Sequence, residues 1–202
     1  LAIQMVLGQL LNYYATLTSE QIKEFLVQIK SAADMQIDEN LALAARRGQH
    51  RGLAWGITKE ERESYVDRLK ELDLGLETRL TSKVGLLSGG QRQALTLLMA
   101  VLKKPKLLLL DEHTAALDPK TAAKVVSLTQ KLVDENGLTT LMVTHNMHDA
   151  IRLGNRLIMM HDGQIIYDVH GAEKAKLEVA DLLKKFEEVS GSELANDRML
   201  LS

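Results

Sequence analysis

The chain has 202 residues and a net charge of −2 at neutral pH, with 46% of its residues hydrophobic and 26% charged. This is globular composition, enough for one sizeable core, and the near-balanced charge gives no global argument for nucleic acid or an anionic membrane as partner. There is no cysteine, which excludes disulfides and thiolate metal sites and fits a reducing compartment. The most apolar N-terminal stretch, residues 1–11, is interrupted by Gln4 and Gln9. It falls well short of the ~20 residues of a membrane span and lacks the basic flank of a signal peptide.

Residues 1–33 read as a helical segment with no further assignment: Thr18-Ser19-Glu20 offers a capping start, and Ile22, Phe25, Leu26 and Ile29 follow at helical spacing. Residues 34–103 read as a second, mostly helical stretch. In it Asp38-Glu39-Asn40 leads into Leu41–Ala45, and a polar loop with the single Trp55 runs from Arg46 to Gly56. Thr58 with Glu61 makes a capping pattern ahead of Tyr65, Leu69 and Leu72. Ser88-Gly89-Gly90 precedes Gln91–Lys103, which is apolar on nearly every side and therefore predicts a buried helix, stopped by Pro105.

Residues 104–170 alternate differently. Leu107–Leu110 is a short continuous apolar run, as expected of a strand covered on both faces. Asp118-Pro119 supplies an N-cap and first-turn proline for a helix to about Asn136, which Gly137 closes. Thr139–Thr144 is a β-branched strand, and Arg156–Met160 and Gln164–Asp168 flank the Asp162-Gly163 hairpin signal. Strand, helix and strand in this order predict an α/β core with parallel strands. Residues 171–202 read as a charged helical tail.

Three runs carry chemistry. Glycines at Ser88-Gly89-Gly90 would let backbone N–H groups approach an anion at a helix N-terminus, with the serine hydroxyl as a further donor; alone, such a run is as readily a turn into a buried helix. Asp111-Glu112 ends a predicted buried strand, where α/β proteins bind ligands. Asp111 suits Mg²⁺ and Glu112 is placed to orient or deprotonate a water, the plainer alternative being that both cap the next turn. Thr144-His145 ends the following strand, where the imidazole could meet a phosphate oxygen or attacking water; a lone histidine is more often structural.

In combination the runs are specific. Leu87–Gln91 (LSGGQ), Leu107–Glu112 (LLLLDE), Ala116–Pro119 (ALDP) and Thr144-His145 occur in the order that resembles the ATP-binding-cassette (ABC) ATPase family, over about residues 35–165. The resemblance implies a P-loop NTPase-like α/β cassette, here missing its first strands, with a helical signature-bearing subdomain and a parallel-sheet core. It implies ATP and Mg²⁺ as cofactors and a head-to-tail pair of cassettes with ATP between them. Ser88, Gly89, Gly90 and Gln91 would then bind the γ-phosphate of the partner's ATP. Asp111 would hold Mg²⁺ through water, Glu112 would polarise the attacking water, His145 would sense the γ-phosphate, and Asp118 would link the two sites. The implied partners are a second cassette and transmembrane permease subunits, at the cytoplasmic face of the cell membrane. A DNA- or ribosome-directed relative is disfavoured, since there is no long coiled-coil insertion and no basic patch.

Two departures qualify the resemblance. His113 follows Glu112 where the family usually has proline, giving DEHTAALDP, a variant that points weakly to binding-protein-dependent importers, some of amino acids. None of the 13 glycines is followed by lysine, so the phosphate loop G-x-x-x-x-G-K-S/T is not found; Gln28 is the nearest candidate for the Gln-loop. A chain starting at Leu1 with its signature at Ser88 is expected to be truncated, frameshifted or fused at about residues 31–34. Two readings follow: the ATP-hydrolysing subunit of an importer, not competent alone in this form, or a degenerate, non-catalytic half-cassette that donates its signature loop to an intact partner.

Overall fold

The computed structural model describes residues 31–48 and 56–190. The expected helix around Ile22–Ile29, Gln28, Trp55 and the end of the tail lie outside them. The chain forms two compact units, which divide between Met142 and Val143.

The first unit holds helices α1 (Ile37–Ala45), α2 (Lys59–Lys70) and α3 (Gly89–Val101), strand β1 (Leu108–Asp111), helix α4 (Pro119–Asn136) and strand β2 (Thr140–Val143, its last residue across the division). Helix α1 begins earlier than its polar lead-in suggests. Gln36 is the N-cap, its N–H donating to Glu39 Oε2 at 2.7 Å, so Asp38 and Asn40 lie inside the helix and are fully buried. Each has partners of its own. The Asp38 carboxylate meets Arg62 Nε of α2 at 3.0 Å. Asn40 accepts from Ala32 N at 2.7 Å and donates to Ala32 O and Gln36 O at 3.1 and 2.9 Å.

Helix α2 starts as its sequence predicts. Glu61 N donates to Thr58 Oγ1 at 3.2 Å while Thr58 N donates to Glu61 Oε2 at 2.8 Å, a reciprocal box. Ile37, Leu41, Leu69, Leu76, Leu95 and Leu98 build the core of this unit.

Helix α3 buries Ala94, Leu95, Leu97, Leu98, Met99 and Val101, the all-round apolar character read from sequence. It begins at Gly89 rather than Gln91 because Ser88 is its N-cap, and it ends at Val101, before a left-handed Lys104 (φ +43°) and Pro105. In β1, Leu108 and Leu110 are buried and Asp111 is exposed. Leu108 N donates to Thr139 O at 2.9 Å, and β1 pairs with β2 in a parallel sheet, with α4 as the crossover. Helix α4 follows its sequence signals closely, from the Asp118 cap and Pro119 to Gly137 at φ +61°.

The second unit contains α5 (Met147–Arg152), the antiparallel hairpin β3 (Arg156–His161) and β4 (Gln164–His170), α6 (Gly171–Lys174) and α7 (Val179–Ser190). Asp162 and Gly163 both have positive φ, +46° and +76°, as a type I′ hairpin turn requires. Leu157, Val169 and Leu182 form its core. Arg156 Nε donates to Asp168 Oδ1 at 2.8 Å across the hairpin, and this bond holds the Asp168 carboxyl below the usual carboxylate range. Lys174 is 4% exposed. Its ammonium donates to Ile151 O and to Leu153 O (2.9 Å for the latter), closing the C-terminus of α5, and burial lowers its pKa. Among the described residues no helix is long and apolar enough to cross a membrane.

Candidate functional site

The path into Ser88 is fixed from outside the motif. Ile37 N donates to Ser82 O (3.1 Å), Val84 N to Met35 O (3.0 Å) and Gly85 N to Ala33 O (2.8 Å), which laces residues 33–37 to 82–85. Leu87 then turns into the core at 4% exposure, and Ser88 and Gly89 emerge exposed.

Ser88 caps α3. Its Oγ accepts from Gln91 N at 3.2 Å, and Gln91 Oε1 accepts from Ser88 N at 3.1 Å. Gln91 Nε2 donates to Leu74 O at 3.2 Å, so this side chain holds the loop in shape. The S-x-x-Q spacing announces such a box, a local role for Ser88 and Gln91 beside the phosphate contacts that the resemblance implies. Because the Ser88 oxygen acts as acceptor in the cap, its own hydrogen remains available to donate. The N–H groups of Gly89 and Gly90, in the first helical turn, have no acceptor within the helix, and the helix dipole adds partial positive charge there.

The start of α4 lies against this turn. A Cβ on Gly89 would come 3.1 Å from Leu117 Cδ2, and one on Gly90 would come 2.2 Å from Thr121 Cγ2. Any side chain at position 90 would force Thr121 to move. Asp118 Oδ1 accepts from Thr121 N at 3.1 Å; hydrogen bonds from the Thr121 side chain and N–H keep the Asp118 carboxyl below its ordinary pKa. Gly90 and Asp118 thus both meet Thr121. Nothing in sequence pointed to Thr121, since its role arises from a contact between two helices. A cavity of about 380 Å³ opens here, lined by Ser88, Gly90, Gln91, Thr121, Lys120 and Lys124 among others.

Asp111 and Glu112 are both exposed at the end of β1. Glu112 adopts φ +41°, a left-handed conformation uncommon for a non-glycine residue, and its carbonyl accepts from Ala115 N at 3.0 Å. His145 belongs to the second unit. It is exposed, between Thr144, whose Oγ1 accepts from Asn146 N at 3.1 Å, and Asn146, which caps α5.

The donor set suits a polyanion: a hydroxyl, two helix-start amides and Lys120, with Lys124 beside them donating to Asp73 O at 2.8 Å. Among the described residues no group of three or more His, Cys, Asp or Glu could hold a metal by itself. A single carboxylate fits Mg²⁺, which binds through one or two carboxylates, waters and substrate phosphates.

A strand–helix–strand unit with two acids at a strand end, beside a glycine-started buried helix, is the architecture of an ATP-binding cassette. The chain belongs to the ABC transporter family, whose sequence pattern matches residues 7–115. That match begins inside the segment for which the motifs gave no assignment. Over 153 residues the chain is 48% identical to the tyrosine transport ATP-binding protein of Clostridioides difficile, covering 76% of this chain and 61% of that one. It is 34% identical over 158 residues to the methionine import ATP-binding protein MetN of Streptococcus pneumoniae, covering 75% and 42%. The chain therefore spans only about two to three fifths of the length of these relatives. Among solved structures it is similar to the dimeric bacterial cassette MJ0796 (TM-score 0.58, 30% identity, 76% of this chain and 68% of that one). It is also similar to the ADP conformation of the cassette MJ1267 (TM-score 0.65, 26% identity, 85% and 70%).

Proposed function

We propose that this chain is the ATP-binding part of an importer subunit that works against a second cassette and couples ATP hydrolysis to uptake of a solute, an amino acid being the class suggested by its relatives. It sits at the cytoplasmic face of the membrane on permease subunits. The observation that carries this reading is the Ser88 cap: an exposed hydroxyl whose hydrogen is free to donate, above two helix-start amides. The residues 34–103 are then the signature-bearing arm, and residues 104–170 the core.

Each residue has a task. Ser88, Gly89 and Gly90 bind the γ-phosphate of ATP held by the partner's phosphate loop, and Gln91 fixes their orientation. Asp111 holds Mg²⁺ through water and Glu112 polarises the attacking water. His145 contacts the γ-phosphate, and Asp118 links the paired sites. ATP supplies the transferable phosphoryl group and Mg²⁺ the neutralising charge.

In a second reading the chain donates only its signature loop to an intact cassette. One experiment separates the two. Purified chain alone shows no ATP turnover above background; turnover abolished by Glu112→Gln would overturn the claim that a phosphate loop must come from elsewhere. Mixed with a complete cassette of the same importer, the chain alters turnover, and Ser88→Arg removes that effect. Sensitivity to Glu112→Gln in the mixture supports the catalytic reading, and insensitivity supports the signature donor. Failure of Ser88→Arg to change anything removes both.

A further inference from the structure

We infer that His113 is a positioning residue which, through Thr129, holds the Glu112 backbone in its left-handed conformation and so aims the Glu112 carboxylate. The inference rests on the reading of Glu112 as the water-polarising group. Three observations carry it. Glu112 has φ +41°, a conformation that costs an L-residue roughly 1–2 kcal/mol and persists only where its surroundings enforce it. The next residue, His113, has Nε2 3.0 Å from Thr129 Oγ1 on α4. Thr129 is itself 6% exposed, and its hydroxyl donates to Val125 O at 2.8 Å.

The direction of the His113 bond follows. A threonine hydroxyl has one hydrogen, and here it is committed to the carbonyl one turn back. Thr129 Oγ1 can then only accept, so His113 Nε2 carries the hydrogen and donates it. The tether runs from the residue after Glu112 to the middle of a rigid 18-residue helix. The Ala115 N to Glu112 O bond of 3.0 Å closes the turn from the other side. Between these two anchors the peptide joining Glu112 to His113 has little freedom to rotate.

Nuclear magnetic resonance on the full chain tests this without nucleotide. A left-handed residue shows an unusually strong intraresidue HN–Hα Overhauser contact, because positive φ brings those hydrogens together. Wild type is expected to show it at Glu112, with the His113 ring in the Nε2–H tautomer. His113→Gln, whose amide nitrogen reaches a similar place, and Thr129→Ser keep the contact. His113→Ala and Thr129→Val lose it. Persistence of the contact in both His113→Ala and Thr129→Val, or an Nδ1–H ring in wild type, would overturn the inference. The functional reading fails separately: if Glu112→Gln leaves turnover in the mixture unchanged, Glu112 has no catalytic task whatever its backbone does.

Discussion

Gly90 and Thr121 compete for the same space: a Cβ on Gly90 would fall 2.2 Å from Thr121 Cγ2. No rotation of the new methyl relieves this overlap, so Gly90→Ala must turn the Thr121 side chain away from its place or displace a helix start. Overpacking of this kind costs about 1–3 kcal/mol, to be read as a lower urea midpoint at unchanged slope. Thr121→Ser removes the clashing methyl but leaves a hydroxyl beside the Asp118 cap. The double variant is therefore expected to recover most of the loss, and simple additivity of the two changes would show that the contact is not what excludes alanine.

Ser88 does two separable things. Ser88→Ala removes the cap acceptor and is expected to destabilise by about 1 kcal/mol. Ser88→Asp restores an acceptor for Gln91 N, and with it the stability, but places negative charge where a phosphate would sit. Thermal melts should thus rank aspartate near serine and above alanine, whereas the chain's effect on a complete cassette should be lost most fully in aspartate. Equal activity of Ser88→Asp and wild type would contradict anion binding at this helix start.

Burial of Asn40 turns a small change into a large one. Asn40→Leu leaves Ala32 N without its partner, while Ala32 O and Gln36 O keep the N–H groups of Met35 and Asn40; one orphaned donor costs about 1–3 kcal/mol. A loss of that size, about 1–3 kcal/mol, is expected in urea unfolding. A change well under about 1 kcal/mol would mean that water reaches this N–H.

The second unit should carry an acid-sensitive term. Its Arg156 partner lowers the Asp168 pKa in the folded chain. The resulting stability is fully present above the unfolded value of about 3.9 and disappears as pH falls through the folded value below it. Asp168→Asn should melt below wild type at pH 7, and the two melting curves should draw together as pH drops under about 4. A gap that stays constant with pH would assign the loss to packing rather than to the ion pair.

What the sequence displayed, and what it hid, divides along the range of the forces involved. Helix α4 was legible because Asp118, Pro119 and Gly137 act within a few residues of themselves, and the hairpin was legible because Asp162-Gly163 sets its own turn. The Thr58–Glu61 box is likewise local. Asp38 and Asn40 misled, since their polarity suggested a lead-in to a helix. They lie buried inside it where Arg62 pairs with Asp38 and the backbone at residues 32–36 bonds Asn40, a fact of tertiary packing. Of the candidate site, the motif residues could be named from their order, but Gln91's inward role and Thr121's place at the centre depend on how α3 meets α4. The left-handed Glu112 has no sequence signal at all, because glutamate has no preference for that conformation.

Lys174 gives the second unit a chemical memory of its folded state. Its amine is enclosed against two carbonyl oxygens at the end of α5, where an acylating reagent has no room to attack and an acyl group no room to stay. Acylation of this nitrogen and closure of the unit around it exclude one another. A molecule found acylated at Lys174 must have been open there when the reagent arrived, while the exposed lysines of the same chain record only that the reagent was present.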